Sequence, residues 1–471
     1  MSGALHASLH VVNVIILVYF FLINAFYLSF IVLSFFGLIR HRELNRFVSF
    51  KDIFRLPLVK PISIIAPAYN EENTIIESVR ALLSLEYPTF EVIVVNDGSA
   101  DRTLDVLIKS FQLERSRRVF RKVVDHKRVK GIYTSRAYPK LIVVDKVNGK
   151  KADALNAGLN VSRYPLFCAV DSDSLLEKDA LLKMVRPFLE NPERTVAAGG
   201  IVRLINGCTV KNGQVQEIRL PRSILARFQV IEYFRAFLGG RIGMGMLKSM
   251  LIVSGAFGLF RKDVALDCGG YRTRAIGEDM DLIVRIRRRL HETKRPYEVR
   301  FVPDPICWTA APETLKSLSR QRNRWHRGLL ETVRYNRVML FNPRYGITGL
   351  FALPFYFFFE MLGPLIEAGG YVLFAASIIL GFANTWFSLL FFLFAVVLGT
   401  LLSLLALLLE EYSSGRYPRL QDILTLTLFG VLENFLYRQW LTLVRVGAFV
   451  DFYKGKTEWG AMPKKGFAQA K

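Results

Sequence analysis

The sequence predicts an α/β domain set between membrane-embedded helical segments. Three observations carry that prediction. Short apolar runs such as "ISIIAPAY", "FEVIVVND" and "PLFCAVDSD" alternate with helical patterns over 74–85 and 179–189. Each run ends in a polar cluster, as strands do when a sheet binds ligands at its carboxyl edge. Charge-free stretches at 11–39 and 368–409 flank this globular part.

Val11 to Ile39 contains no charged residue and, at about 1.5 Å per residue, exceeds the roughly 30 Å hydrocarbon layer. The segment before it lacks Lys and Arg and no small-residue cleavage site follows, so a retained anchor is expected over 1–40 rather than a signal peptide. Arg40, Arg42, Arg46, Lys51, Arg55 and Lys60 follow directly. This positive-inside pattern predicts an outside N-terminus and a cytosolic domain in the plasma (inner) membrane. The net charge is +23, from 63 Lys and Arg against 40 Asp and Glu. Its excess gathers beside the apolar segments and in 114–130, which points to anionic lipid or a phosphorylated substrate and away from nucleic acid. Cys168, Cys208, Cys268 and Cys307 form no CxxC pair, so neither a zinc site nor a disulfide framework is indicated.

The globular domain is expected over 55–335, with basic 114–146 as an inserted hairpin. Membrane character returns over 345–450. The run 368–409, broken by "GFAN" at 381–384, suggests two crossings, the first kinked at Gly363 and Pro364. Glu360 and Glu367 should face protein or water there, unless they sit at interfacial depth. Region 421–450 carries Glu433, Arg438 and Arg445 and fits an interfacial helix or a pair of short ones. The basic tail 451–471 should be cytosolic.

The chemistry-bearing residues sit at the ends of these elements. In "VDSD", Asp171 and Asp173 are spaced to hold Mg²⁺ or Mn²⁺ together with phosphate, or merely to cap a turn. "VVNDGSADRT" offers Asp97 and the tight-turn Gly98; "APAYNEE" offers Pro67, Tyr69, Asn70 and Glu71, with a ring and an acceptor suited to a base and ribose. "GKKADALNAG" places Lys151 and Asp153 at a helix start, where a cation and backbone amides can meet a diphosphate. "GEDMDL" places Glu278 and Asp279 at another, where acids are also favoured by the helix dipole. "GRIGMGMLKS" lacks the spacing of a phosphate loop, and no nucleophilic triad or metal-type histidine spacing occurs. On a helix, Gln321, Arg324 and Trp325 of "QRNRW" share one face, serving either substrate or the lipid surface.

Taken in order, "APAYNEE", "NDGSADRT", "KADALN", "DSD", "SGAFGLF", "GED" and "QRNRW" resemble the motifs of the processive family 2 glycosyltransferases, the synthases of cellulose, chitin, hyaluronan and poly-N-acetylglucosamine. The resemblance covers about 55–335 and implies a GT-A fold that uses a UDP-sugar with Mg²⁺ or Mn²⁺. It implies that Pro67, Tyr69, Asn70, Glu71, Asp97, Gly98, Lys151 and Asp153 line the donor nucleotide, with Asp171 and Asp173 at the metal. Asp279, beside Glu278, would be the general base. Gln321 and Arg324 would meet the diphosphate, and Trp325, with Ser254 and Gly255, the acceptor sugar. The Phe-x-Val-Thr gating loop of cellulose synthases is missing, whereas "KTEWGAMPKKG" resembles the gating tail of hyaluronan synthases, through Trp459, Lys464 and Lys465. The expected function is a processive inverting β-glycosyltransferase that extends a polysaccharide and passes it through the membrane. The alternatives are a non-processive enzyme acting on a lipid acceptor and, further off, a non-catalytic transporter or nucleotide sensor. No accessory subunit is indicated.

Overall fold

The computed structural model describes residues 2–46, 59–379 and 385–456, with side chains from 11 onward. The gating candidates Trp459, Lys464 and Lys465 lie outside the described residues. Among the described residues there are twelve strands, ten of them in one sheet ordered β3-β4-β5-β2-β1-β6-β11-β8-β12-β7, with β3 (Glu114–Ser116) and β4 (Val129–Thr134) at one edge and the short β7 (Leu175–Leu176) at the other. Its left half is built from β1 (Ile62–Ala68), β2 (Phe90–Asn96), β5 (Leu141–Lys146) and β6 (Leu166–Val170), all parallel. Direction reverses at β11 (Phe257–Arg261), which runs antiparallel to β6 and to β8 (Thr195–Leu204); β12 (Glu298–Thr309) is again parallel to β8. The mixed sheet expected from the sequence is therefore present.

Alternation along the strands explains the two layers of helices. Ile64, Val92 and Val94 face the helices Ile75–Leu83, Thr103–Phe111 and Ala180–Glu190, while Ile65, Ile93 and Val95 face Lys151–Val161 and Glu278–Glu292. Both faces are covered, so these strands read as continuous apolar runs.

The expectation of an inserted hairpin at 114–146 is corrected. The wholly buried run "LIVVDK" is β5, an internal strand paired in register with β2 from Val92↔Leu141 to Asn96↔Asp145. Only β3 (Glu114–Ser116), β4 (Val129–Thr134) and the basic segment between them lie outboard of it. Basic flanks made the whole stretch look like an appendage, although β5's apolar run matches β2 in character.

Among the described residues, three helical segments are long and apolar enough to cross a membrane: Val11–Leu44, Thr348–Ile379 and Thr385–Ser413. The second passes through a π-helical turn, Tyr356–Met361, before Gly363 and Pro364. Its acids face protein: Tyr27 Oη donates to Glu360 Oε1 at 2.6 Å, Arg445 lies 3.4 Å from Glu360 Oε2, and Thr442 Oγ1 donates to Glu367 at 2.8 Å. Region 421–450 is a pair of helices, Leu420–Leu432 and Tyr437–Tyr453. Two ion pairs, each with a fully buried carboxylate, tie the globular part to this bundle. Arg203 on β8 makes a two-pronged contact with Glu410 at 2.7 and 2.6 Å, and Arg235 meets Glu433 at 2.6 Å.

Candidate active site

The carboxyl ends of β1, β2 and β6 and the amino ends of two helices open on the same side of the sheet, so the expected site residues converge. Tyr69, just past β1, is half exposed, and Asn70 takes a left-handed backbone (φ 55°) that the Asn70 side chain helps to fix through the Ala100 amide at 2.8 Å. Glu71 turns inward instead. Its two oxygens accept from Thr74 Oγ1 at 2.7 Å and Ser172 Oγ at 3.2 Å, binding the tip of β1 to the Asp171–Asp173 turn. Gly98 has φ +66°, and a Cβ there would sit 2.7 Å from the Asn148 nitrogen; no other residue fits.

Beneath this edge lies a charged group that sequence reading missed. Lys146, at the end of β5, is fully buried between Asp97 and Asp153, 2.5 Å from each. The Gly149 amide also donates to Asp97 at 2.9 Å, and the Lys127 amide to Asp153 Oδ2 at 3.0 Å. Lys151 and Asp153 thus part company. Two residues apart at one helix start, they face different halves of the site, since the helix turns about 200° between them. Asp97 and Asp153 form the floor of one half of the site, with Lys146 balancing both charges.

The second half gathers around Lys151. Its Nζ is 2.5 Å from Asp171 and 3.3 Å from Glu278. Burial opposes the ammonium charge, but Asp171 and Glu278 outweigh it and hold the Lys151 pKa above its ordinary value. Burial and the Asp171 charge push the Asp173 carboxyl up to about 6, and burial raises that of Glu278, against Lys151. Asp279 is fixed by two backbone donors, Gly255 N to Oδ2 at 3.0 Å and Met280 N to Oδ1 at 2.8 Å. A Cβ on Gly255 would lie 3.0 Å from Lys151 Nζ and 3.3 Å from Asp279 Oδ2, so that position keeps the two side chains clear. Ser254, Gly255, Glu278 and Asp279 line one small cavity with Tyr271.

Among the described residues no three His, Cys, Asp or Glu side chains converge as a metal cage. The donor set fits a cation shared with a ligand instead. Asp171 and Asp173 are two hard oxygen donors whose mutual repulsion is only partly relieved by Lys151, which suits a divalent ion that takes its remaining ligands from a diphosphate.

The helix Leu315–Tyr335, capped by Thr314, carries "QRNRW". It crosses the Glu278 helix where Gly328 meets Gly277, a Cβ on Gly328 falling 2.9 Å from the Gly277 Cα. That contact brings Arg324 within electrostatic reach of Glu278. Trp325 is 45% exposed. Arg322 lies over its ring at 4.2 Å and is itself held by Glu232 at 2.7 Å and by the Gln321 oxygen at 2.8 Å. Arg322 is a second residue the sequence reading missed, having read only the face shared by Gln321, Arg324 and Trp325.

Residues 63–267 match the family model for glycosyl transferase family 2, and residues 166–409 that for glycosyl transferase family group 2. A poly-beta-1,6-N-acetyl-D-glucosamine synthase from Staphylococcus epidermidis is 30% identical over 289 residues, covering 60% of this chain and 59% of that protein. The protein so named from Staphylococcus aureus (strain MSSA476) is 27% identical over 288 residues, 61% and 59% of the two chains. This chain thus matches less than two thirds of these relatives' length. A mannosyltransferase from Pyrobaculum calidifontis, solved in complex with GDP-Man and Mn²⁺, superposes with a TM-score of 0.51 at 16% identity, covering 88% of this chain and 99% of that one. At that identity the likeness is one of fold.

Proposed function

The chain belongs to the glycosyl transferase family group 2, and from that premise we propose that it is a processive, inverting β-glycosyltransferase that builds a polysaccharide from a UDP-sugar. UDP-N-acetylglucosamine is the first donor to consider, given the activity named for its staphylococcal relatives, and UDP-glucose the second. The observation that carries the reading is Asp279, its carboxylate aimed by two backbone amides at the cavity beside Lys151, Asp171 and Arg324.

In the proposed reaction Tyr69 and the floor of Asp97, Lys146 and Asp153 seat the uridine. Lys151 and Arg324 balance the diphosphate. The acceptor hydroxyl oxygen attacks the anomeric carbon as the bond from that carbon to the UDP oxygen breaks. The electron pair leaves with UDP, and the hydroxyl proton passes to Asp279. Mg²⁺ or Mn²⁺, held by Asp171 and Asp173, would supply charge to stabilise the leaving diphosphate. Trp325 offers the acceptor sugar a flat face. We further propose that residues 55–335 form the cytosolic catalytic domain, with 1–40 as N-terminal anchor, 345–450 as membrane and interfacial helices, and 451–471 as a cytosolic tail. The polymer would leave between the membrane helices.

The test is incubation of the purified protein in lipid vesicles with individual UDP-sugars, with and without EDTA, followed by sizing of the product. A metal-dependent polymer from one donor is expected. A single-sugar lipid, or no product from any donor, overturns the reading.

A further inference from the structure

The stretch that fails as a phosphate loop contains an arginine that the mechanism leaves idle. Arg241 closes the π-helical turn Arg235–Arg241 and leads into the helix Ile242–Met246. Its guanidinium stacks over the Phe237 ring at 3.8 Å. Among the described residues no carboxylate lies within ion-pair distance of it, and its Nη1 is buried without a hydrogen-bond partner. Its neighbours Arg203, Arg235 and Arg322 all have carboxylates. A buried donor left unmet is unfavourable unless a ligand completes it.

Location narrows the ligand. Arg241 stands within electrostatic reach of Tyr356, Asp279 and Tyr233. Tyr356 belongs to the membrane span Thr348–Ile379, and its hydroxyl reaches the Met244 sulfur at 3.8 Å. The same segment is seated on the first membrane helix. Ser34 Oγ donates to the Gly239 carbonyl at 2.8 Å, and a Cβ on Gly243 would strike the Phe30 backbone at 2.4 Å. The segment carrying Arg241 thus packs on the first and second membrane spans, with the proposed base within electrostatic reach of its guanidinium. The groups assigned to the uridine lie elsewhere, around the tips of β1, β2 and β5. A fork of N–H donors over a phenyl ring, with two tyrosines within electrostatic reach, suits a neutral, oxygen-rich ligand with apolar faces, which is a sugar chain.

We propose that Arg241 binds the acceptor glycan, donating hydrogen bonds to hydroxyl or acetamide oxygens of the sugar behind the terminal one, where the chain leaves Asp279 for the membrane helices. This rests on the polymerase reading above. The experiment compares wild-type protein with Arg241→Gln and Arg241→Lys in vesicles, using UDP-N-acetylglucosamine as donor and thermal unfolding as a check on folding. Three quantities are read: UDP affinity, donor hydrolysis by water, and product length. For Arg241→Gln, elongation should fall at least about tenfold more than hydrolysis, with shorter products, and Arg241→Lys should recover part of the length. Wild-type product length in both variants overturns the assignment. So does a parallel loss of UDP affinity, hydrolysis and elongation in folded Arg241→Lys, which would make the residue a scaffold. If the wild-type protein makes no polymer from UDP-N-acetylglucosamine, UDP-glucose or any other UDP-sugar, the parent reading fails and this one with it.

Discussion

Asp279 is held by backbone amides rather than by a side-chain partner. Changing its chemistry should therefore leave its position nearly intact. In Asp279→Asn the acceptor proton has no base, so transfer should slow by at least about 10²-fold while UDP-sugar affinity persists. Binding by calorimetry beside turnover checks this, and joint collapse would make Asp279 a helix cap. For Trp325, one face of the indole lies under Arg322, which leaves the other for a sugar. Trp325→Ala should cut elongation more than hydrolysis or UDP affinity, since orientation is worth several kcal/mol only to the acceptor. Trp325→Phe should recover part of the loss, and rates of hydrolysis and elongation measured side by side decide it. A lipid-surface anchor would lose all three together. At this scale the strand-end motifs were legible because each couples a turn to a charge within ten residues. Lys146 was not, because "VVDKVNGK" gives no sign that the lysine points inward to two acids, 49 and 7 residues away in the chain. Arg322 was hidden by the motif that contains it.

At the scale of elements, the base helix and the "QRNRW" helix owe their closeness to two glycines. Gly277 and Gly328 meet backbone to backbone, and the Glu331 side chain accepts the Ile276 amide at 2.7 Å beside them. Gly328→Ala adds one methyl where no space exists. The helices should separate by a few tenths of an ångström, which displaces Asp279 from Trp325 and Arg324 together. Elongation should fall at least about tenfold, with UDP affinity changed less, because the nucleotide floor belongs to other elements. Turnover and UDP binding of this variant are the check, and normal turnover would show that the contact carries no alignment. Apolar runs and their polar ends were enough to place β1, β2 and β6. The inclusion of β5 in the sheet, and the pairing of helices through residues 51 apart, depend on contacts that no local pattern encodes.

For the whole molecule, three apolar spans and the basic run after the first predict an outside N-terminus, with the near ends of the second and third spans also outside. Thr385→Cys should react with an impermeant thiol reagent on intact cells, and Lys454→Cys only after permeabilisation. Three native cysteines, Cys168, Cys208 and Cys307, are buried and add little background. Surface labelling at Lys454→Cys would contradict the layout.

The Arg203–Glu410 pair fastens β8, which lies next to β11 in the catalytic sheet, to the carboxyl-terminal end of the third span. A span longer or shorter than the lipid chains around it tilts to fit, at a fraction of a kcal/mol per ångström. With a rigid strut at its end, that tilt is delivered to the sheet that carries the chemistry, so bilayer thickness becomes an input to turnover. Wild-type rates should vary between short-chain and long-chain vesicles. Replacing both partners (Arg203→Met with Glu410→Met) removes the strut without stranding a charge and should flatten that dependence, leaving an enzyme indifferent to the membrane it sits in.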